Sequence, residues 1–144
     1  MTTIEKKTNV NASPEAIFAY VSVPEKWPQW ATFVKRASSE GSGKTHWVYE
    51  MGGMKVESDT EETEVIPNHV YAFRQLKGFL REGSFRVQIE PVAENSKNSL
   101  IRLTFEYEPP YSYLGKLVDK LGISERAKKD VDSSLQSLKR LVET

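Results

Sequence analysis

The last third of the chain, from Tyr113 to Val142, constrains the fold more than any other stretch. A helix from Ser124 to Val142 would be a rod about 28 Å long, at ~1.5 Å per residue. Apolar residues recur in it at intervals of three and four, the spacing of one helical face: Ala127, Val131, Leu135, Leu138 and Val142. Because such a helix must bury its apolar face, the preceding segments have to supply a matching apolar surface.

A second apolar set precedes the long helix and points about 80° away from its face, at ~100° per residue. Gly122 stands at the change of phase, and Ser124, a helix-capping type of residue, follows it. We interpret this as an amphipathic segment, a break near Gly122 and then the long helix, which would allow the segment to act as a lid. One continuous helix with a tolerated glycine is the alternative. The residues of the second set are Leu114, Leu117, Val118 and Leu121.

Length and composition indicate one soluble globular domain spanning residues 1–144. The 20 Lys and Arg residues balance the 20 Asp and Glu residues, which argues against nucleic acid as a partner. The absence of cysteine excludes a disulfide, a thiol nucleophile and a cysteine metal site. The sequence shows no signal peptide and no apolar run long enough to span a membrane, so we expect a cytoplasmic protein. Transient contact with a membrane surface is left open.

Residues 4–107 are predicted to form a sheet interrupted by two short helices. Ser13 and Pro14 mark the start of the first helix, and Trp27 and Trp30 lie one turn apart on a stubby second one. Hairpin-length connections predict an antiparallel meander, and one-sided alternation predicts one apolar face. The expected fold class is therefore α+β. The predicted strands are Ile4–Val10, Thr32–Ser39, Thr45–Met51, Lys55–Ile66, Val70–Gln75, Ser84–Glu90 and Leu100–Tyr107.

The apolar face of this sheet is too wide for the helix to cover. A helix of ~10 Å diameter covers about two strands spaced ~4.8 Å apart, so a sheet of about six or seven strands must curl or leave space. Buried tyrosine hydroxyls need partners, which suits a cavity wall, and such cavities bind small ligands. A filled core is the alternative. The face comprises Trp47, Tyr49, Tyr71, Phe73, Phe85, Val87, Ile89, Ile101, Leu103, Phe105 and Tyr107.

Six short motifs follow one another in a familiar order: Val10–Phe18 (VNASPEAIF), Trp27–Trp30 (WPQW), Thr45–Val48 (THWV), Thr63–Asn68 (TEVIPN), Phe105–Pro110 (FEYEPP) and Leu138–Glu143 (LKRLVE). Together with the element order, they resemble the helix-grip fold of the START-like superfamily, which includes polyketide cyclase/dehydrase-like and coenzyme Q-binding proteins. The resemblance implies a curved antiparallel sheet wrapped around the C-terminal helix, with two short helices after the first strand. It implies a ligand pocket without naming the ligand.

An acidic run occupies one predicted strand. Alternation puts Glu57, Asp59 and Glu61 on one face, with neighbours ~6.6 Å apart. Divalent ions need oxygens at ~2.0–2.6 Å from one centre, so we interpret this face as solvated and predict no metal site. No cofactor is predicted either.

The opposite face of that strand carries Ser58, Thr60 and Glu62, together with Val56 and, without a bulge, Ile66. If this face lines the cavity, Glu62 is a carboxylate in an apolar enclosure, with a raised pKa and a role as anchor or general acid/base. A register slip, or a paired carboxylate near the rim, is the alternative. Glu62 is the sole candidate catalytic residue.

Two other patterns are weaker. Gly41–Thr45 resembles the end of a phosphate-binding loop but lacks its first glycine and a following helix, so a hairpin turn is predicted. The alternation with Trp47 turns His46 outward, and nothing places a histidine in a Ser–His–Asp relay. Tyr111 and Tyr113 would join the lid segment at the pocket mouth, or simply fill a packed corner.

These observations favour a monomer or weak dimer that binds or carries a small hydrophobic or aromatic ligand, of lipid, quinone or polyketide-like chemistry. A polyketide cyclase/dehydrase-type enzyme is the first alternative, and a module that binds a protein partner is the second. The predicted ligand-binding residues are Trp47, Tyr49, Ser58, Thr60, Glu62, Tyr71, Phe73, Phe85, Val87, Ile101, Leu103, Phe105, Tyr107, Tyr111, Leu117, Leu121, Ala127 and Val131.

Overall fold

The computed structural model describes residues 1–51, 53–94, 97–110 and 123–143, and it contains one antiparallel seven-stranded sheet. The strands lie in the order β1-β7-β6-β5-β4-β3-β2, so the first strand closes the meander beside the last. This confirms the predicted helix-grip α+β fold. The strands are β1 (Thr2–Val10), β2 (Val34–Gly41), β3 (Lys44–Met51), β4 (Met54–Ile66), β5 (Val70–Gly78), β6 (Glu82–Pro91) and β7 (Ser99–Glu108); the helices are α1 (Pro14–Val21), a 3₁₀ helix (Pro24–Gln29) and α2 (Ile123–Val142).

The two short helices after β1 form as their sequence predicts. The Ser13 hydroxyl accepts a hydrogen bond from the backbone N–H of Ala16 at 3.2 Å, and Pro14 occupies the first turn of α1. Trp27 and Trp30 are both buried, with ring centroids 4.5 Å apart. The Trp27 indole Nε1 donates to the carbonyl oxygen of Val21 at 2.9 Å, which fixes the 3₁₀ helix against α1.

A bulge in β4 changes the face on which its last residues lie. Glu62 pairs with Phe73 of β5 and Glu64 pairs with Ala72, so Thr63 has no partner of its own in that ladder. A bulge shifts the alternation by one residue. Ile66 is consequently 42% exposed, whereas uninterrupted alternation would have placed it inside with Val56.

The long helix α2 packs its apolar face into the curved sheet, against β1, β3 and β7. The predicted stripe residues Ala127, Val131, Leu135 and Leu138 are buried, as is Ser134 beside them. The Ser134 hydroxyl accepts a hydrogen bond from the backbone N–H of Thr32 at 2.8 Å, which joins α2 to the segment before β2. Among the described residues, no helix is long and apolar enough to span a membrane.

Polar contacts hold the C-terminal end of α2 against β1. Lys139 Nζ donates to the carbonyl oxygen of Asn9 at 2.9 Å and lies 2.8 Å from the Glu143 carboxylate. That carboxylate also accepts the backbone N–H of Asn11 at 2.8 Å. The predicted break at Gly122 and the lid segment Leu114–Leu121 lie outside the described residues.

Candidate functional site

Aromatic rings cross the inner face of the sheet in one continuous row. Trp47 stacks on Phe73 at 5.0 Å between ring centroids, and Phe73 stacks on Phe85 at 6.0 Å. Phe105 continues the row 5.8 Å from Phe85. Trp27 of the 3₁₀ helix packs against three of the four rings, Trp47, Phe73 and Phe85, in T-shaped geometry.

A cavity of about 60 Å³ lies against this row. The predominantly apolar wall is contributed by β2–β7, the 3₁₀ helix and the β5–β6 turn. Among the described residues the wall consists of Trp27, Val34, Trp47, Tyr49, Ser58, Thr60, Phe73, Gln75, Leu80, Gly83, Ser84, Phe85 and Phe105.

A second cavity of about 20 Å³ lies under α2 and shares Tyr49 and Phe105 with the first. Ala127 and Val131 line it from the helix, so this is where the helix leaves space above the sheet. Its described wall also carries two carboxylates, Glu50 and Asp130. Burial raises the pKa of the Asp130 carboxyl above its ordinary value, against the opposing charge of Arg126.

The polar groups of the larger cavity are mostly engaged with one another. The Trp47 indole Nε1 donates to Thr60 Oγ1 at 2.7 Å. Burial raises the pKa of Tyr49 to about 12, while a hydrogen bond with the Ser58 hydroxyl partly offsets that rise. The Tyr49 phenol is therefore protonated at neutral pH and serves as a hydrogen-bonding group.

Comparison with known proteins identifies the family. The model of the family described as polyketide cyclase / dehydrase and lipid transport matches residues 1–143. The chain belongs to this family. A relative from Streptomyces lincolnensis, an uncharacterized 17.2 kDa protein, is 25% identical to this chain. The alignment covers 99% of this chain and 91% of the relative.

Solved structures confirm the fold of this polyketide cyclase/dehydrase and lipid transport family member. The Zhui aromatase/cyclase from Streptomyces sp. R1128 superimposes with a TM-score of 0.80 at 15% identity, covering 99% of this chain and 93% of the other. A START superfamily protein from Mycobacterium smegmatis gives a TM-score of 0.77 at 20% identity, covering 98% and 97%. At these identities the similarity concerns the fold alone.

Apart from Glu62, the predicted site residues of this family member separate into three groups. Around the two cavities lie Trp47, Tyr49, Ser58, Thr60, Phe73, Phe85, Phe105, Ala127 and Val131. Buried in the core, away from both described cavity walls, lie Tyr71, Val87, Ile101, Leu103 and Tyr107. Tyr111, Leu117 and Leu121 lie outside the described residues.

Glu62 does not have the apolar enclosure that its proposed acid/base role requires. It pairs with the inward-facing Phe73, but its side chain is exposed and lies beyond the described cavity wall, next to Gly43 of the β2–β3 turn. Alternation correctly predicted that Glu62 lies on the inner face of β4, but at that position the strand has already passed the edge of the cavity. Its charge adds to the burial that raises the pKa of the neighbouring Tyr71.

Sequence reasoning missed several lining residues. Gln75 alternates with Tyr71 and Phe73, so its inward direction could have been found from the pattern. Leu80 belongs to the turn between β5 and β6, where no period applies. Gly83 lies on the same face of β6 as Phe85, but it precedes the predicted start of that strand. Trp27 was predicted to lie on the stubby second helix, and whether it reaches the cavity depends on how that helix docks.

The outer face of the sheet carries a histidine between carboxylates, as predicted for His46. Its Nδ1 lies 2.7 Å from Asp59 Oδ1 and its Nε2 lies 3.3 Å from Glu57 Oε1. Glu40, His46 and Asp59 also place one potential metal-ligating atom each within 4.8 Å of one another. All three side chains are at least partly exposed, and the Nδ1 atom of His46 is already engaged with Asp59. We therefore interpret the contacts on this face as a cross-strand ion pair.

We expect His46 to titrate above its ordinary pKa of about 6.5. Hydrogen bonds to Asp59 and then to Glu57 raise the pKa of His46. Since the folded-state pKa is the higher one, the added stability is complete below about pH 6.5 and disappears as pH rises through the folded pKa. NMR titration of the imidazole should show this shift, and Asp59→Asn should reduce it. The stability difference between wild type and His46→Gln should likewise fade toward alkaline pH; a difference that grows with pH would contradict the assignment.

Proposed function

We propose that this protein, acting as a single domain over residues 1–144, binds or carries a small, largely apolar or aromatic molecule in the cavity beside Trp47, Phe73 and Phe105. The observation that supports it is the unfilled space against a row of stacked rings, continuing under α2. Family membership supports the same proposal, since the family description includes lipid transport.

Apolar burial would supply most of the affinity, at ~25 cal/mol per Å² of apolar surface removed from water. Stacked and edge-on aromatic contacts add preferred orientations for a flat ring. The few polar groups of the wall, Tyr49, Ser58 and Gln75, would fix how the ligand lies.

The size of the cavity limits the ligand and implies movement. Apolar cavities of about 150 Å³ hold benzene, and the larger cavity here measures about 60 Å³. A ring-sized ligand therefore has to displace part of the wall. Leu80 is the natural candidate, because it projects from the short turn between β5 and β6 rather than from a paired strand.

The cyclase/dehydrase alternative would require an acid or base at the ligand. The described wall of the larger cavity has no carboxylate, amine or imidazole. Among the described residues the strongest candidates are the Tyr49 phenol, which lines both cavities, and Asp130 of the smaller cavity, whose pKa is raised by burial. Turnover of a poly-β-ketone analogue that Asp130→Asn abolishes would favour the enzyme; binding without chemical change favours the carrier.

Titration with 4-fluorotoluene tests the proposal through the tryptophan indoles. Trp27 and Trp47 line the cavity, whereas Trp30 lies behind Trp27, outside both described walls. We expect saturable shifts of the Trp27 and Trp47 indole N–H signals in ¹H–¹⁵N NMR, larger than those of Trp30.

The exposed apolar residues provide the internal control for this titration. Val65, Ile66 and Leu76 are each more than 40% exposed, at 43%, 42% and 46%. Shifts confined to their amide signals, with the two cavity tryptophans unchanged, would show surface adsorption and contradict the proposal.

A further inference from the structure

The sheet forks between β5 and β6 at the edge of the cavity. The two strands pair from Val70 and Gln88 as far as Arg74 and Ser84. Beyond that point β5 stays paired with β4, through Gln75 to Gly78, while the start of β6 pairs with β7. The ladder therefore opens between β5 and β6, and the turn formed by residues 79–81 crosses the opening.

Gln75 is the first residue of β5 inside the fork. Its side chain lines the inner cavity and also an outer cleft of about 340 Å³, and Gly83 and Ser84 are common to both walls. The Gln75 Nε2 donates to the carbonyl oxygen of Leu80 at 2.7 Å, which holds the turn across the opening. Gln75, Gly83 and Ser84 therefore lie between the inner cavity and the outer cleft.

The other end of the Gln75 amide is a buried acceptor without a donor. Because Nε2 must face the Leu80 carbonyl, the amide orientation is fixed and Oε1 points away from it. Oε1 is buried, and no atom of the described residues donates to it. It lies over Gly78 beside Ser58, where a Cβ built on Gly78 would be 2.6 Å from Oε1 and 2.5 Å from Ser58 Cβ. A buried carbonyl oxygen without a donor is unfavourable, so a group that donates to it gains affinity.

We infer that Gln75 selects ligands that carry one hydrogen-bond donor, a hydroxyl or N–H, on an otherwise apolar ring, as in phenols. This rests on the proposed function, because it assigns the polar end of the same cavity. The donor meets Gln75 Oε1 beside Ser58, and the ring lies toward Trp47 and Phe73.

The charges of the outer cleft favour a neutral ligand. Arg74 forms an ion pair with Glu61 at 2.6 Å, and Arg81 lies 3.6 Å from Glu108. Both guanidinium groups are thus already compensated by carboxylates. An anionic tail extending through the fork would have to compete with those carboxylates, whereas a neutral donor at Gln75 has no competitor among the described residues.

A matched pair of probes tests the inference. 4-Fluorophenol and 4-fluorotoluene have nearly the same shape, and only the phenol donates a hydrogen bond. Dissociation constants of both, measured by ¹⁹F NMR, give the preference for the phenol in wild type, Gln75→Met and Gln88→Met. Gln88 is the control because it is a half-buried glutamine on β6 that lines neither the inner cavity nor the outer cleft. Gln75→Met should lower the preference by roughly three- to tenfold, and Gln88→Met should leave it unchanged.

The outcomes separate this inference from the proposed function. If both probes bind wild type and Gln75→Met leaves the preference unchanged, Gln75 is satisfied by water alone and the inference is wrong, while the proposed function stands. If neither probe binds wild type, both fail. If Gln75→Met does not fold, the test uses wild type alone with 4-fluoroanisole, whose ether oxygen cannot donate a hydrogen bond. Weaker binding of 4-fluoroanisole than of 4-fluorophenol supports the inference, and equal or tighter binding of 4-fluoroanisole overturns it.

Discussion

Replacing Trp27 with alanine is expected to lower the free energy of unfolding by about 3–5 kcal/mol. Trp27 is 1% exposed, and its ring lies 4.5 Å from Trp30 and 5.0 Å from Trp47. Its indole N–H also holds Val21. Typical domains are stable by only about 5–15 kcal/mol, so this variant would retain a marginal folded state. Urea denaturation followed by circular dichroism measures the loss.

Trp27→Phe is the matched control for this variant. The phenylalanine keeps a ring packed against the aromatic row. Loss of the hydrogen bond to Val21 should cost about 1–2 kcal/mol. Because the deleted indole leaves space beside the cavity, added indole should bind Trp27→Ala and restore part of its stability. A loss below about 1 kcal/mol in Trp27→Ala would contradict the central position of this side chain.

Replacing Ser58 with leucine is expected to remove binding of 4-fluorotoluene. Ser58 is buried on the inner face of β4, beside Thr60, and lines the larger cavity, so a leucine there can project its apolar branch into the empty space. The ligand would lose the area it needs to bury. We expect its affinity to fall by about a hundredfold, equivalent to ~2.8 kcal/mol. The variant loses the hydrogen bond between Ser58 and Tyr49, which should cost about 1 kcal/mol, and its side chain fills an existing void, so the fold should tolerate the change.

Ser38→Leu controls for the added apolar surface. Ser38 is exposed on β2, outside both cavity walls, so this variant should bind as wild type does. Calorimetry or ¹⁹F NMR measures both variants, and circular dichroism verifies that they are folded. A folded Ser58→Leu variant with wild-type affinity would place the ligand elsewhere on the protein.

The type and order of the elements were largely predictable, because the spacing of apolar residues in the sequence reflects which face of each element is buried. Alternation identified β3, β5 and β7, and the three–four spacing identified α2, whose stripe residues are buried as expected. The bulge at Thr63 was not predictable, because no side chain there signals it. One unpaired residue was enough to expose Ile66.

The candidate site was less predictable than the fold, because a cavity wall depends on how elements dock. Tyr71 and Phe73 share a face of β5, yet Phe73 lines the cavity while Tyr71 is covered by the core. Trp27 reaches the cavity only through the placement of the 3₁₀ helix on α1. Leu80 belongs to the turn before β6, where residue spacing carries no information about direction, and Gly83 precedes the predicted start of that strand.

A crystal of the protein soaked in iodobenzene tests most directly whether the space beside the aromatic row accepts a small apolar ligand. The expected result is an anomalous iodine peak bounded by Trp47, Phe73, Phe85 and Phe105, with Leu80 displaced to admit the ring. Iodine peaks found solely at exposed apolar residues such as Val65 and Val92, with the four rings closed upon one another, would contradict the proposed binding function.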